Sequence, residues 1–173
     1  GNLIGINAAG TVIHGSGQDG ILLENNAAST TIGGTIAGQG NTIVDSGRLS
    51  ATWQDGVSVT STAGTSNSII GNSIYDNRGL GIDLGATGVT ANDSLDPDSG
   101  PNNLQNTPVL TTATTNGSTV TISGTLNTLA STAGILIHFY ATPATGTVNT
   151  RQGRRYLGTT TVSSNGSGIA TFS

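Results

Sequence analysis

Gly-Asn-Leu-Ile at Gly1, Gly-Asn-Thr-Ile at Gly40 and Gly-Asn-Ser-Ile at Gly71 repeat one short pattern. Each is followed by a second pulse of the form Gly-Ile/Val-x-Leu/Val, beginning at Gly20, Gly56 and Gly81. Apolar runs too brief for a helix and closed by Gly, Asn or Asp read as short strands. A strand of that length cannot bury a face by itself. Such repeats are stabilised by stacking, coil on coil, which makes Ile4, Ile21, Ile32, Ile43, Val57, Ile69, Ile74, Ile82 and Leu84 the expected filling of a thin interior. Asn2, Asn41 and Asn72 then fall at one corner of successive coils. Stacked there, their amides can bond to one another and to turn backbone. The glycine before each supplies the backbone freedom that a corner needs.

Composition agrees with β structure and excludes several functions. The 173 residues are 34% apolar and only 8% charged, with 27 glycines. Disordered chains are usually far more charged and lack regularly spaced Ile and Val. The net charge is −4 and the five basic residues are all arginine, so the electrostatic footprint of a phosphate-backbone binder is missing and no nucleic-acid partner is expected. Cysteine is absent, which removes disulfides and thiolate metal sites. No apolar run approaches the roughly 20 residues of a membrane span. The chain begins inside a repeat and carries no basic or apolar leader, as a processed piece of a secreted protein would.

The second half changes character. From Pro108 the pattern becomes two alternating runs around Asn116-Gly117, then Gly-Ile-Leu-Ile-His-Phe-Tyr from Gly134, then two further runs around Asn165-Gly166. Asn-Gly between alternating strands is a hairpin signal, and five strands at this spacing point to an antiparallel sandwich of immunoglobulin-like type. The expected organisation is stacked coils over 1–91, an Asp/Asn-rich linker over 92–107, and a sandwich over 108–173 that lacks its last strand or strands.

The string RGLGIDLGATGVTANDSLDPDSGPNNLQNTPVL from Arg78, with GNLIG, GQDGILL, TIGGT and AGQGNTI upstream, resembles secreted bacterial proteins with right-handed parallel β-helix repeats and a C-terminal immunoglobulin-like module. The resemblance covers nearly the whole chain. It implies an all-β architecture, a short right-handed parallel β-helix (solenoid) followed by an incomplete immunoglobulin-like β-sandwich. It also implies a secreted, extracellular or cell-surface location. Relative to that family, coils are missing before Gly1 and strands after Ser173. The expectation is therefore either a stable fragment or a subunit whose ends are covered by neighbours.

Three groups carry candidate chemistry. Asp93, Asp96 and Asp98 crowd carboxylates in an Asp-x-Asp-x-Gly context, the opening of many calcium loops, so a structural Ca²⁺ is one reading and a solvated linker with Asx-turns the other. Asp76, Arg78 and Asp83 are weak candidates for acid-base work on a polysaccharide; the alternative is a surface ion pair or a turn cap. Asp83 lies between Ile82 and Leu84, and alternation points it outward. The excursions from Asn2 to Gly20 and from Asn41 to Gly56 carry His14, Arg48 and Trp53, a face able to stack on a sugar or a partner; alternatively Trp53 folds down over the open flank. His138 reads as a strand residue and the Arg151 to Arg155 stretch as a solvated hairpin loop.

The resulting expectation is a non-enzymatic structural module whose partners are copies of itself, joined end to end or by strand donation into a filament. The competing expectation is a carbohydrate-binding or polysaccharide-degrading protein with a surface polysaccharide as partner.

Overall fold

The computed structural model describes residues 1–10, 15–48, 54–143 and 152–173. It is all-β, without α-helices among the described residues. Eight short strands come first: β1 (Leu3–Ile4), β2 (Ile21–Leu23), β3 (Thr31–Gly33), β4 (Thr42–Val44), β5 (Val57–Thr60), β6 (Ser68–Ile70), β7 (Ser73–Tyr75) and β8 (Ile82–Gly85). The chain visits three sheets in rotation, giving parallel stacks β1-β4-β7, β2-β5-β8 and β3-β6. The register is regular: Ile4 faces Ile43 and Ile43 faces Ile74; Ile21 faces Val57 and Val57 faces Ile82; Ile32 faces Ile69.

Ile43, Val57 and Val59 are fully buried and join Leu23, Ile32, Ala63 and Ile74 in one core, with Ile4, Ile21, Ala27, Ile69 and Leu84 packed against it. Ile82 departs from expectation at 42% exposed. It sits on the outer strand of its stack, where the layer below covers it and β5 is its only ladder partner among the described residues.

Five strands follow, the first four of seven or eight residues: β9 (Val109–Thr115), β10 (Val120–Asn127), β11 (Ile135–Ala141), β12 (Arg155–Val162) and β13 (Ile169–Phe172). β9 and β13 flank β10 in an antiparallel sheet, with a register break at Ser123/Gly124, and β11 and β12 form a separate two-stranded sheet. Asn116-Gly117 does close the β9–β10 hairpin. Gly117 adopts φ 92°, and the Asn116 Oδ1 accepts from the Ser118 and Thr119 N–H groups. Asn165-Gly166 is not a hairpin: it links β12 to β13, which belong to different sheets. Its local chemistry is the same, an Asn165 Oδ1 accepting from the Ser167 and Ile169 N–H groups. The turn signal therefore fixes the bend and not the pairing.

Contacts group the chain into two compact units that are not contiguous in sequence. The first comprises Gly1–Val89, Gly100–Asn102 and Phe139–Leu157; the second comprises Thr90–Ser99, Asn103–His138 and Gly158–Ser173. In the second unit Leu126, Ile137, Ala170 and Phe172 are buried, while every residue of β9 is exposed.

Candidate functional site

The polar side chains of the first unit are arranged in columns that run across the layers. In the first column the Asn41 Oδ1 accepts from the Asn2 N–H at 2.8 Å and from the Asn2 amide at 3.0 Å. The Asn72 Oδ1 takes the same two donors from Asn41, at 3.0 and 2.9 Å. A second column passes from Thr30 N–H to Asn67 Oδ1 and from Asn67 N–H to Asn102 Oδ1. A third passes from Ser46 N–H to Asn77 Oδ1 and from Asn77 N–H to Gln152 Oε1. Backbone donors at tight corners need partners when buried, and a side-chain amide one layer away supplies one without disturbing the strands.

Gln152 is 4% exposed. Its amide donates to the Asn77 and Gly79 carbonyls at 2.9 and 3.0 Å. Beside it the Ile74 N–H donates to the Gly153 carbonyl, and the Gly71 N–H donates to the Tyr140 hydroxyl at 2.8 Å. The stretch expected to be a solvated loop thus satisfies backbone donors of the third layer. Arg151 lies outside the described residues.

A fourth column is acidic. The Asp55 N–H donates to Asp19 Oδ1 at 2.7 Å and the Leu80 N–H to Asp55 Oδ1 at 2.5 Å. Asp55 and Asp83 are 6% and 5% exposed. Asp83 Oδ2 accepts from the Gly88 N–H, while its Oδ1 is buried with no donor. Asp83 is therefore not the outward, solvated carboxylate that strand alternation implied: the segment after β8 folds back over that face. Burial is the largest influence on Asp55 and lifts its carboxyl from 3.8 to about 6; the charges of Asp83 and Asp19 push the same way, and the Leu80 N–H opposes them. Burial also raises Asp83, against the pull of the Gly88 N–H.

This pair has a sign in pH. The folded state holds the Asp55 proton more tightly than the unfolded chain, so its contribution is complete below 3.8 and is lost as pH rises through about 6. Its size is on the order of 3 kcal/mol. The expected result is a higher melting temperature near pH 4 to 5 than near pH 8. Asp55→Asn, which removes the titrating carboxyl, should flatten that difference. A melting curve as pH-dependent in Asp55→Asn as in the parent would refute the assignment.

The other sequence candidates fall as follows. Arg48 is exposed and pairs with Asp45 at 3.1 Å, a surface contact worth about 0–1 kcal/mol. His14 and Trp53 lie outside the described residues. Asp76 and Arg78 are exposed, and the ion pair found among the described residues does not include them. Asp96 is tied into its own loop: Oδ1 accepts from the Asn106 N–H and Oδ2 from the Thr128 hydroxyl. Asn106, 3% exposed, receives the Asp93 N–H and donates to the Asp93 and Asn127 carbonyls. Asp98 lies two residues on, half-buried. No cluster of three or more His, Cys, Asp or Glu residues suited to a metal ion occurs among the described residues, and no helix among them is long and apolar enough to cross a membrane.

A groove of about 500 Å³ lies on the first unit, lined by Thr42, Ser73, Tyr75, Ala141, Thr142, Pro143, Arg154 and Arg155. Thr42 and Ser73 are register partners on β4 and β7. Because Ile43 and Ile74 point into the core, alternation turns Thr42, Ser73 and Tyr75 to the opposite face. The Arg154 guanidinium sits 4.3 Å from the centre of the Tyr75 ring, and the Ser73 hydroxyl donates to the Arg154 carbonyl at 2.5 Å. Sequence reasoning missed this grouping because Tyr75 and Arg154 are far apart in the chain. It also missed Asp19 and Asp55, although Gln-Asp-Gly recurs before both β2 and β5. No protein family and no characterised protein matches the chain.

Proposed function

We propose that this chain is a non-enzymatic structural module of a secreted bacterial surface or extracellular-matrix protein, built as a short right-handed parallel β-helix followed by an incomplete immunoglobulin-like sandwich. The reading rests above all on where the buried polar side chains go. Asn41, Asn67, Asn72, Asn77, Asn106 and Gln152 are all buried, and each has its amide engaged in hydrogen bonds within the chain. Amides used in this way hold layers in step and leave little for turnover. Among the described residues β9, β1 and β3 are edge strands, which fits assembly of copies end to end or by strand donation.

Immunogold labelling of cells producing the protein should place it on the surface or in the matrix, and label confined to the cytoplasm would overturn the proposal. Sedimentation should show association that grows with concentration. A monomer at all concentrations would remove the filament part.

A further inference from the structure

We propose that the groove between the outer face of β4–β7 and residues 141–143 and 154–155 binds a carboxylated polysaccharide, a uronate-type chain, through Arg154 and Arg155. The inference is independent of the architectural reading, since a scaffold and a glycan receptor can be the same molecule.

Charge is the first argument. The chain is acidic overall, yet two of its five arginines are adjacent at this groove and no carboxylate lines it among the described residues. Arg48 is neutralised by Asp45; Arg154 and Arg155 form no ion pair among the described residues. Arg154 is steadied by the Tyr75 ring instead. A guanidinium held by an aromatic face keeps its full charge and its forked donors for a carboxylate ligand.

Lining chemistry is the second argument. The Thr42, Ser73 and Thr142 hydroxyls stand beside the two cations, with Pro143 and Ala141 as apolar wall. The Ser73 and Thr142 hydroxyls donate to the Arg154 and Gln152 carbonyls, which leaves their oxygens as acceptors for sugar hydroxyls. A carboxylated sugar offers an anion, several hydroxyls and C–H faces together. A volume of about 500 Å³ lies inside the roughly 300–1,000 Å³ span of ligand sites. The site rests on a floor of paired strands and beside the Gln152 anchor.

The test is calorimetric titration of the whole chain with oligogalacturonate, with a neutral maltooligosaccharide and polyglutamate as comparators. Oligogalacturonate should bind at least about tenfold more tightly than either comparator, and Arg155→Ala and Arg154→Lys should each weaken it by about tenfold. Arg155 is exposed and has no side-chain partner among the described residues, so its replacement should leave the circular dichroism spectrum unchanged; Arg154→Lys keeps the charge and removes the fork. Absence of binding, unchanged affinity in both variants, or polyglutamate binding as tightly as oligogalacturonate would each overturn the assignment, the last by making the groove a simple acidic-peptide or polyanion site.

Discussion

Replacing Asn72 by alanine should lower the unfolding free energy by about 4 kcal/mol, measured by denaturant titration. Asn72 is 2% exposed. Its Oδ1 takes two donors from Asn41, and its amide donates to the Ile32 and Ile70 carbonyls. Alanine removes all of these at once and leaves their partners buried, where each unsatisfied group costs about 1 kcal/mol or more. Two layers and two sheets meet at this side chain, so the loss cannot be repaired by local movement. Asn92→Ala is the comparison: Asn92 makes the same kind of contacts to Thr107 in an exposed setting, where water can replace them and the loss should stay near 1 kcal/mol. Equal losses from the two substitutions would show that the column contributes nothing beyond ordinary turn capping.

Gly40→Ala should be nearly as damaging, at a cost of about 3 kcal/mol or more. A Cβ at Gly40 would lie 2.1 Å from the Gly71 carbonyl oxygen, a backbone atom one layer away that cannot swing aside. The same holds at Gly1, whose Cβ would meet the Gly40 carbonyl oxygen at 1.7 Å. Gly40 does not have a left-handed φ, whereas Gly71 does, at 67°. The glycine of the repeated Gly-Asn pair is thus fixed mainly by the close approach of successive layers, not by the freedom of a corner. Gly17→Ala is the control, because nothing among the described residues lies within 4 Å of its Cβ position and its φ is ordinary; it should change stability by less than about 1 kcal/mol. Matching losses at the two positions would remove the interlayer explanation.

These two residues also mark what the sequence makes legible. Gly40 and Asn72 belong to a motif that recurs with the same apolar register, and a stack reproduces the environment of each residue one layer on. Repetition therefore reports directly on Ile43, on the Asn2-Asn41-Asn72 column and on the all-β class. Interactions outside the repeat leave no such trace. Gln152 substitutes for a layer partner of Asn77 without sharing its residue type or its spacing. Asp83 is buried by the segment that follows it, which alternation within three residues cannot foresee. The Tyr75, Arg154 and Arg155 groove forms where a distant segment returns to the first unit. Arg-rich loops read as solvated because most are, and nothing local distinguishes the buried Gln152 from its charged neighbours.

The closing of the Asn77 column by Gln152 spans 75 positions in sequence, while each step within the stack spans far fewer. During synthesis the early layers can zip together as they leave the ribosome, but the third must wait with bare amides until the chain has run through β9 and β10 and come back. Closing the third layer is therefore expected to be the slow step of folding, in keeping with the drag that distant contacts place on folding rates. The lid of this molecule is also the clock of its assembly.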